Sequence, residues 1–401
     1  MSQRRKRKRK SIKPSAPSEP ALDSEHFINR ELSLLAFHWR VLEQARDERI
    51  PLLERLRFLT ISSTNMDEFF EVRVGALRQA IEYGFAKTGP DGLTPRETLK
   101  RISEVAHILV DEQYRVLNEE LLPALEAEGI RIIFRDDWNK AIRQWADAYF
   151  DREVRPVLTP VGLDPSHPFP AVLNKSLNFI VELEGEDAFG RSSRIAVVQA
   201  PRLLPRLIPI PEEVAGATDQ FVTLTGVIST HLDRLFNGMS IVQSTPFRVT
   251  RNSELWVDEE EVEDLLLALK GELPRRNFGA AVRLELGRRC TDENRRFLLE
   301  QFELGEEDLY RVDGPVNLHR LAALHDLVDR PDLKYQPYVP TQPKGLGSDA
   351  DLFERIRAGD VLLHHPFQSF SPVVELLQQA ASDPQVLAIK MTLYRIGKGS
   401  P

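Results

Sequence analysis

Residues 50–78 read IPLLERLRFLTISSTNMDEFFEVRVGALR. Leu52, Leu56 and Leu59 recur at helical spacing, and Pro51 suits a first helical turn. Phe70, Val74, Leu77 and Ile81 form a second stripe of the same period. Between them, Ser62–Asn65 is a run of small hydroxyl and amide side chains. The pattern predicts two amphipathic helices around a polar hinge, with Asn65 capping the second and Glu68 reaching back as in a capping box. A helix start of this kind exposes N–H groups to an anion such as a phosphate. Asp67 and Glu68 would oppose that anion unless cations lie near, and Arg55, Arg57 and Arg73 are the candidates.

Upstream, Leu32, Leu35, Trp39 and Leu42 mark another helix. Downstream, Gly84 is placed to end a helix, and Thr94-Pro95-Arg96-Glu97 is a capping box with proline at the first helical position. A long helix follows, with a break expected near Pro123 and an end at Gly129. Residues 26–130 therefore read as a helical N-terminal domain. Residues 131–328 change texture and read as a middle α+β domain. Strand candidates are Ile130–Phe134, Leu177–Leu183, Ile195–Gln199, Phe221–Leu224, Ser240–Val249 and Phe278–Leu286. Helices are expected at Trp138–Tyr149 and, with acidic character, at Glu259–Leu269. The prolines at 156, 160, 165, 168 and 170 suggest an irregular ordered loop, with His167 helping to order it.

Residues 329–347 are rich in proline and glycine and read as a linker. Residues 348–401 then predict one βαβ unit, with strands Val361–Leu363 and Val386–Tyr394 around a helix Pro372–Ala381. One such unit cannot cover both faces of a sheet, so the sequence reads as a domain cut short at Pro401. The expected fold class is multidomain, α and α+β: a helical bundle, an α+β domain and the start of an α/β domain.

The 401 residues carry a formal net charge of −8, which hides an asymmetry. Residues 1–18 hold eight Lys/Arg and no Asp/Glu, leaving 45 basic against 61 acidic in the rest. The block Arg4–Lys10 belongs to a basic arm, 1–25, with the composition of disorder. The arm is either a solvated tail or a contact for polyanions: nucleic acid, an acidic membrane surface or a phosphate polymer. No apolar run is long enough to span a bilayer, and no apolar segment follows the basic start as in a secretory signal. The single cysteine, Cys290, excludes an internal disulfide and a cysteine-based zinc site. These features point to a cytoplasmic protein, with peripheral membrane contact through the arm as an option.

Arg395, in LAIKMTLYRIGKGS, falls at the carboxyl end of a predicted parallel strand, where ligands of open α/β sheets gather. Its planar fork suits a phosphate, although a surface ion pair accounts for it equally well on composition. GKGS lacks the upstream glycine of a phosphate-binding loop. His364 and His365 would point to opposite faces of a strand, so they cannot jointly hold one ion. The residues by themselves indicate a phosphate-handling protein and no more.

Four stretches add a resemblance. FINRELSLLAFHWRVLEQA (27–45), ERLRFLTISSTNMDEFFEVRV (54–74), PVLTPVGLDPSHPFPAVLNKSLNFIVEL (156–183) and DVLLHHPFQSFSPVVELLQQAASDPQVLAIKMTLYR (360–395) resemble the N-terminal part of the histidine-phosphorylating polyphosphate kinases. The resemblance covers residues 26–401. It implies a catalytic half with a phospholipase D-like fold, in which a histidine takes the γ-phosphate of ATP and passes it reversibly to inorganic polyphosphate, with Mg2+. It implies that Asn65 contacts the nucleotide. It also implies that Arg395 lies at the magnesium–phosphate site, where a guanidinium grips phosphate oxygens rather than the metal. The family's phosphorylated histidine would follow Pro401, so no catalytic residue is expected in this chain, which as given would be inactive. ATP, ADP and polyphosphate are the implied partners, and self-association is a family trait. The basic arm is not part of the family pattern. A phospholipase D-like phosphodiesterase and a non-enzymatic polyanion-binding module are the competing readings.

Overall fold

Helix α1 (Arg30–Arg46) starts at Asn29, whose side chain accepts the Leu32 N–H at 3.0 Å. A 3₁₀ turn, Ser24–His26, precedes it. α1 packs on α2 (Leu52–Glu68) through Leu35, Leu42, Leu53, Leu56 and Leu59, all fully buried. The computed structural model describes residues 22–84, 87–163, 169–186, 194–253, 279–347 and 350–392; the block Arg4–Lys10 lies outside them. The chain divides into two units, Met1–Lys334 and Tyr335–Pro401.

The expected hinge at Ser62–Asn65 is not a hinge. α2 runs unbroken through it, passes into a π-helical turn at Phe69–Val74, and continues as α3 (Gly75–Glu82). The small polar residues pack rather than cap. Ser62 and Ser63 are buried, and the Ser62 hydroxyl accepts from Gln113 of the next helix at 2.8 Å. Gly84, at φ 74°, follows the end of α3 in the left-handed region, as its position predicts.

α4 (Pro95–Arg115) opens on the predicted capping box. Thr94 Oγ1 accepts the Glu97 N–H at 3.3 Å, and Glu97 accepts the Thr94 N–H at 2.8 Å. No break occurs at Pro123. A π-helical turn at Val116–Leu121 precedes α5 (Leu122–Ala127), and this wider turn accommodates the missing N–H of proline.

Two sheets follow. β1 (Arg131–Ile133), β5 (Leu207–Pro209) and β6 (Gln220–Thr223) form the smaller, in the order β1-β6-β5. β1 is parallel to β6, and β5 antiparallel to it. α6 (Lys140–Tyr149), α7 (Glu212–Ala215) and α8 (Leu224–Thr230) lie between or beside these strands in sequence. Trp138 sits before α6 rather than in it, donating its indole N–H to the Ile133 carbonyl at 3.0 Å.

The larger sheet runs β2-β4-β3-β7-β8-β9. Its strands are β2 (Thr159–Gly162), β3 (Leu177–Gly185), β4 (Ile195–Ala200), β7 (Met239–Arg251), β8 (Ala281–Gly287) and β9 (Leu309–Val312). All neighbours are antiparallel except β8 and β9. Pro160, expected in a loop, lies in β2, an edge strand where a missing donor is tolerated. Pro165, His167, Pro168 and the acidic helix Glu259–Leu269 lie outside the described residues.

β3 alternates between two cores. Phe179 and Val181 join the helices, while Ile180 faces a second cluster with Phe247, Val249, Leu284 and Leu286. α9 (Asp292–Gln301) covers this second cluster with Leu298 and Leu299. The first core runs without interruption from Leu35 to Val328, through the 3₁₀ turn Leu318–Ala322 and α10 (Ala323–Leu327). The helical bundle and the α+β segment thus share one interior.

The second unit departs from the predicted βαβ. α11 (Leu352–Arg357) begins at Asp351, and α12 (Ser371–Ser382) is the expected helix. Neither Val361–Leu363 nor the described part of Val386–Tyr394 is a strand. Leu362 and Leu387 are almost fully exposed. A strand needs a hydrogen-bonded neighbour, and among the described residues neither segment is paired with one.

Candidate functional site

Asn65 occupies the last full turn of α2. It does not cap a helix: its carbonyl accepts the Phe69 N–H, as in any helix interior. The anion site expected from helix N–H groups at this point is therefore absent. Asn65 is half-buried, and its carboxamide has no hydrogen-bond partner among the described residues. Arg55 and Arg57 are engaged elsewhere. The Arg55 Nε donates to the Ala45 carbonyl at 2.8 Å, and Arg57 lies 3.8 Å from Glu54.

The turn before Asn65 meets the 3₁₀ turn Leu318–Ala322. Thr64 Oγ1 donates to the Thr60 carbonyl at 2.9 Å and lies 2.8 Å from His319 Nδ1. The Thr64 hydroxyl thus bridges its own helix and the His319 ring. Burial lowers the His319 pKa, which keeps the ring neutral at pH 7.

Asp67, read from sequence as a first-turn acid that would oppose an anion, is buried and holds α2 to the sheet. It accepts from Arg248 Nη1 and Nη2 at 2.9 and 2.8 Å, and also from Arg283. Arg248 turns its Nε to Glu285 at 2.6 Å. Arg248 faces Glu285, and Thr250 faces Arg283, as cross-strand neighbours on β7 and β8. Two guanidiniums and two carboxylates thus balance in a dry interior. Burial alone would push the Asp67 carboxyl up, but Arg248 and Arg283 outweigh it and hold it below the usual range. Arg283 also stacks over the Phe70 ring at 4.6 Å. The alternation FRVT and VRLEL carried the signal for this group. Its charged positions read as a solvent face, and only α2 lying across them makes them interior.

A second charged group surrounds the 173–176 loop. Lys175 reaches Glu71 at 2.8 Å, and Asn317 Nδ2 donates to the Lys175 carbonyl at 3.1 Å. Lys175 and Asn317 both have positive φ, 56° and 65°, an unfavourable backbone that tertiary contacts must enforce. The Asn174 carbonyl accepts from Arg202. Arg206 and Arg320 lie close enough to Arg202 to feel its charge.

Arg395 and Lys398 lie outside the described residues, as does His167. His364 and His365 are exposed and belong to no strand; the His365 Nδ1 is 2.9 Å from the Gln368 carbonyl. Among the described residues no cluster of three His, Cys, Asp or Glu is placed to hold a metal, and no helix is long and apolar enough to cross a membrane. Cys290 is buried and free, and burial pushes its thiol up.

Three family profiles match this chain. They are the polyphosphate kinase N-terminal domain over residues 27–133, the middle domain over 141–324, and C-terminal domain 1 over 351–401. Polyphosphate kinases of Pseudomonas syringae pv. tomato and Pseudomonas aeruginosa are each 53% identical over 378 residues. That alignment covers 94% of this chain and 51% and 55% of the relatives. The enzyme of Neisseria gonorrhoeae is 50% identical over the same share of this chain. The crystal structure of the Porphyromonas gingivalis polyphosphate kinase superposes with a TM-score of 0.69 at 27% identity, covering 89% of this chain and 50% of that one. The chain spans about half the length of these relatives.

Proposed function

This chain belongs to the polyphosphate kinase family, and from that premise we propose that it serves the reversible transfer of the ATP γ-phosphate to inorganic polyphosphate through a phosphohistidine. The match of all three profiles, in order along one chain, carries the reading. Asn65 is proposed as a nucleotide contact. Its half-buried carboxamide has donors and an acceptor to spare, and the rigid α2 fixes its position. Arg395 is proposed to hold phosphate oxygens by a bidentate fork.

The described residues do not form a carboxylate cage for a metal. Mg2+ is proposed to accompany the substrate as the Mg·ATP complex. None of the histidines in this chain is assigned the nucleophile's role. The protein is proposed to act in the cytoplasm and to self-associate, and its basic arm to attract polyanions or an acidic membrane surface.

The direct test is ATP-dependent polyphosphate formation by the protein carrying this chain. Asn65→Ala and Arg395→Ala are each expected to weaken ATP use, Asn65→Ala chiefly through KM. Unchanged turnover and nucleotide affinity in both variants would sink the site assignment. Phosphodiester hydrolysis without polyphosphate synthesis would favour a phospholipase D-like enzyme instead.

A further inference from the structure

Most buried cations in this protein have an acid beside them. Arg248 and Arg283 have Asp67 and Glu285, and Lys175 has Glu71. Arg202, Arg206 and Arg320 differ. None of the three forms an ion pair with a described residue. Both Nη atoms of Arg206 and the Nε of Arg320 are shielded from solvent and have no hydrogen-bond partner among the described residues.

Such groups are costly. An unpaired buried donor forfeits its hydration without return, and a charged donor more so. Arginine cannot escape by losing its proton. Burial, with Arg320 and Arg202 close by, pulls Arg206 down to about 10, which still leaves it charged at neutral pH. Three like charges held near one another, with no ion-pair partner among the described residues, therefore await an anion from outside.

The surroundings are built to hold them there. The Arg206 carbonyl accepts the Leu224 N–H at 2.9 Å, tying it to the start of α8. Arg202 is tethered to the Asn174 carbonyl. Arg320 rides on the 3₁₀ turn that follows Asn317, one of the two positive-φ residues at this junction. Arg202 is exposed, Arg206 and Arg320 half-buried, so the group reaches from the surface inward. Its neighbour His319 bonds to Thr64, next to Asn65 on α2.

We propose that Arg202, Arg206 and Arg320 form a subsite for contiguous phosphates, such as those of an oligophosphate chain. Planar guanidiniums with several free N–H groups match the many oxygens of linked phosphates better than a single orthophosphate. The proposal rests on the polyphosphate reading only for the source of those phosphates.

The test is calorimetric titration of the intact protein with tripolyphosphate, ATP, orthophosphate and sulfate, in the wild type and in Arg206→Ala, Arg320→Ala, Arg206→Lys and an arm deletion lacking residues 1–18. Tripolyphosphate should bind more tightly than orthophosphate or sulfate. Each alanine change should weaken it by about tenfold or more, with Arg206→Lys intermediate. Thermal melts matching the wild type establish that the variants fold; a variant that melts early is replaced by its lysine counterpart. Equal loss of ATP and tripolyphosphate would assign the site to the nucleotide's own phosphates, and selective loss of tripolyphosphate to the polymer. Tripolyphosphate affinity unchanged in the arginine variants, or abolished only by the arm deletion, overturns the proposal. If the protein makes polyphosphate normally while the arginine variants bind and turn over as wild type, the subsite fails and the family reading stands. If tripolyphosphate binding depends on these arginines but no polyphosphate is made, the reverse holds.

Discussion

Asp67→Asn should unfold much of what holds α2 to the larger sheet. The side chain keeps its size and loses its charge. Asp67 serves Arg248 through both Nη atoms and also serves Arg283. Both arginines are almost wholly buried. With Asp67 neutral, two buried guanidiniums share the single carboxylate of Glu285. Breaking one partner of a buried ion network costs about 3–5 kcal/mol, whereas an exposed pair of equal geometry is worth about 0–1 kcal/mol. Against a typical total of roughly 5–15 kcal/mol, the loss is large. Tryptophan fluorescence in a urea titration reads it, because the described tryptophans, Trp39, Trp138 and Trp145, all belong to the first unit. The midpoint should fall sharply at constant slope. Adding Arg283→Met restores the charge balance, and part of the loss should return as a favourable coupling of about 1 kcal/mol or more. The same group sets an acid limb. Since the folded Asp67 carboxyl lies below its unfolded value of about 4, its stabilisation is complete above that pH and fades as the pH falls further. A loss below about 1 kcal/mol for Asp67→Asn, with no change in the acid limb, would refute the claim that this network fastens α2 to the sheet.

His38 is buried against Phe69 at 5.9 Å, and its desolvated ring has a pKa lowered to about 4. Stability should therefore be full above about pH 6.5 and decline between there and 4; His38→Phe should flatten that slope in pH-dependent melts. Thr94→Ala removes the α4 cap and should cost about 1 kcal/mol in the same urea assay, and Thr94→Ser much less. Ser62→Ala deprives Gln113 of its buried acceptor at 2.8 Å and should cost about 1–3 kcal/mol, with Ser62→Ala/Gln113→Leu recovering most of it. Asn65→Ala should leave the melting temperature near that of wild type while reducing nucleotide affinity, the two readouts separating a binding role from a structural one.

Local pattern determined a good deal of this protein. The leucine stripes of α1 and α2, the capping box at Thr94, the left-handed glycines at 84 and 129, and the apolar strands β3, β4 and β8 follow from side-chain periodicity and turn chemistry that act within a few residues. The quoted motifs pointed to the family in the same way. Tertiary structure decided what periodicity cannot carry. Ser62–Asn65 looks like a helix start because small polar side chains favour caps, yet packing of α2 on α4 and the sheet keeps the helix going. Arg248, Arg283 and Glu285 alternate with apolar residues as an exposed sheet face would, and only a helix bringing Asp67 across that face makes it interior. Val361–Leu363 and the described part of Val386–Tyr394 have strand composition, but a strand needs neighbours as well as composition. The group of Arg202, Arg206 and Arg320 joins residues more than a hundred positions apart. Charge interacts through space, and the sequence does not state which distant charges will become neighbours.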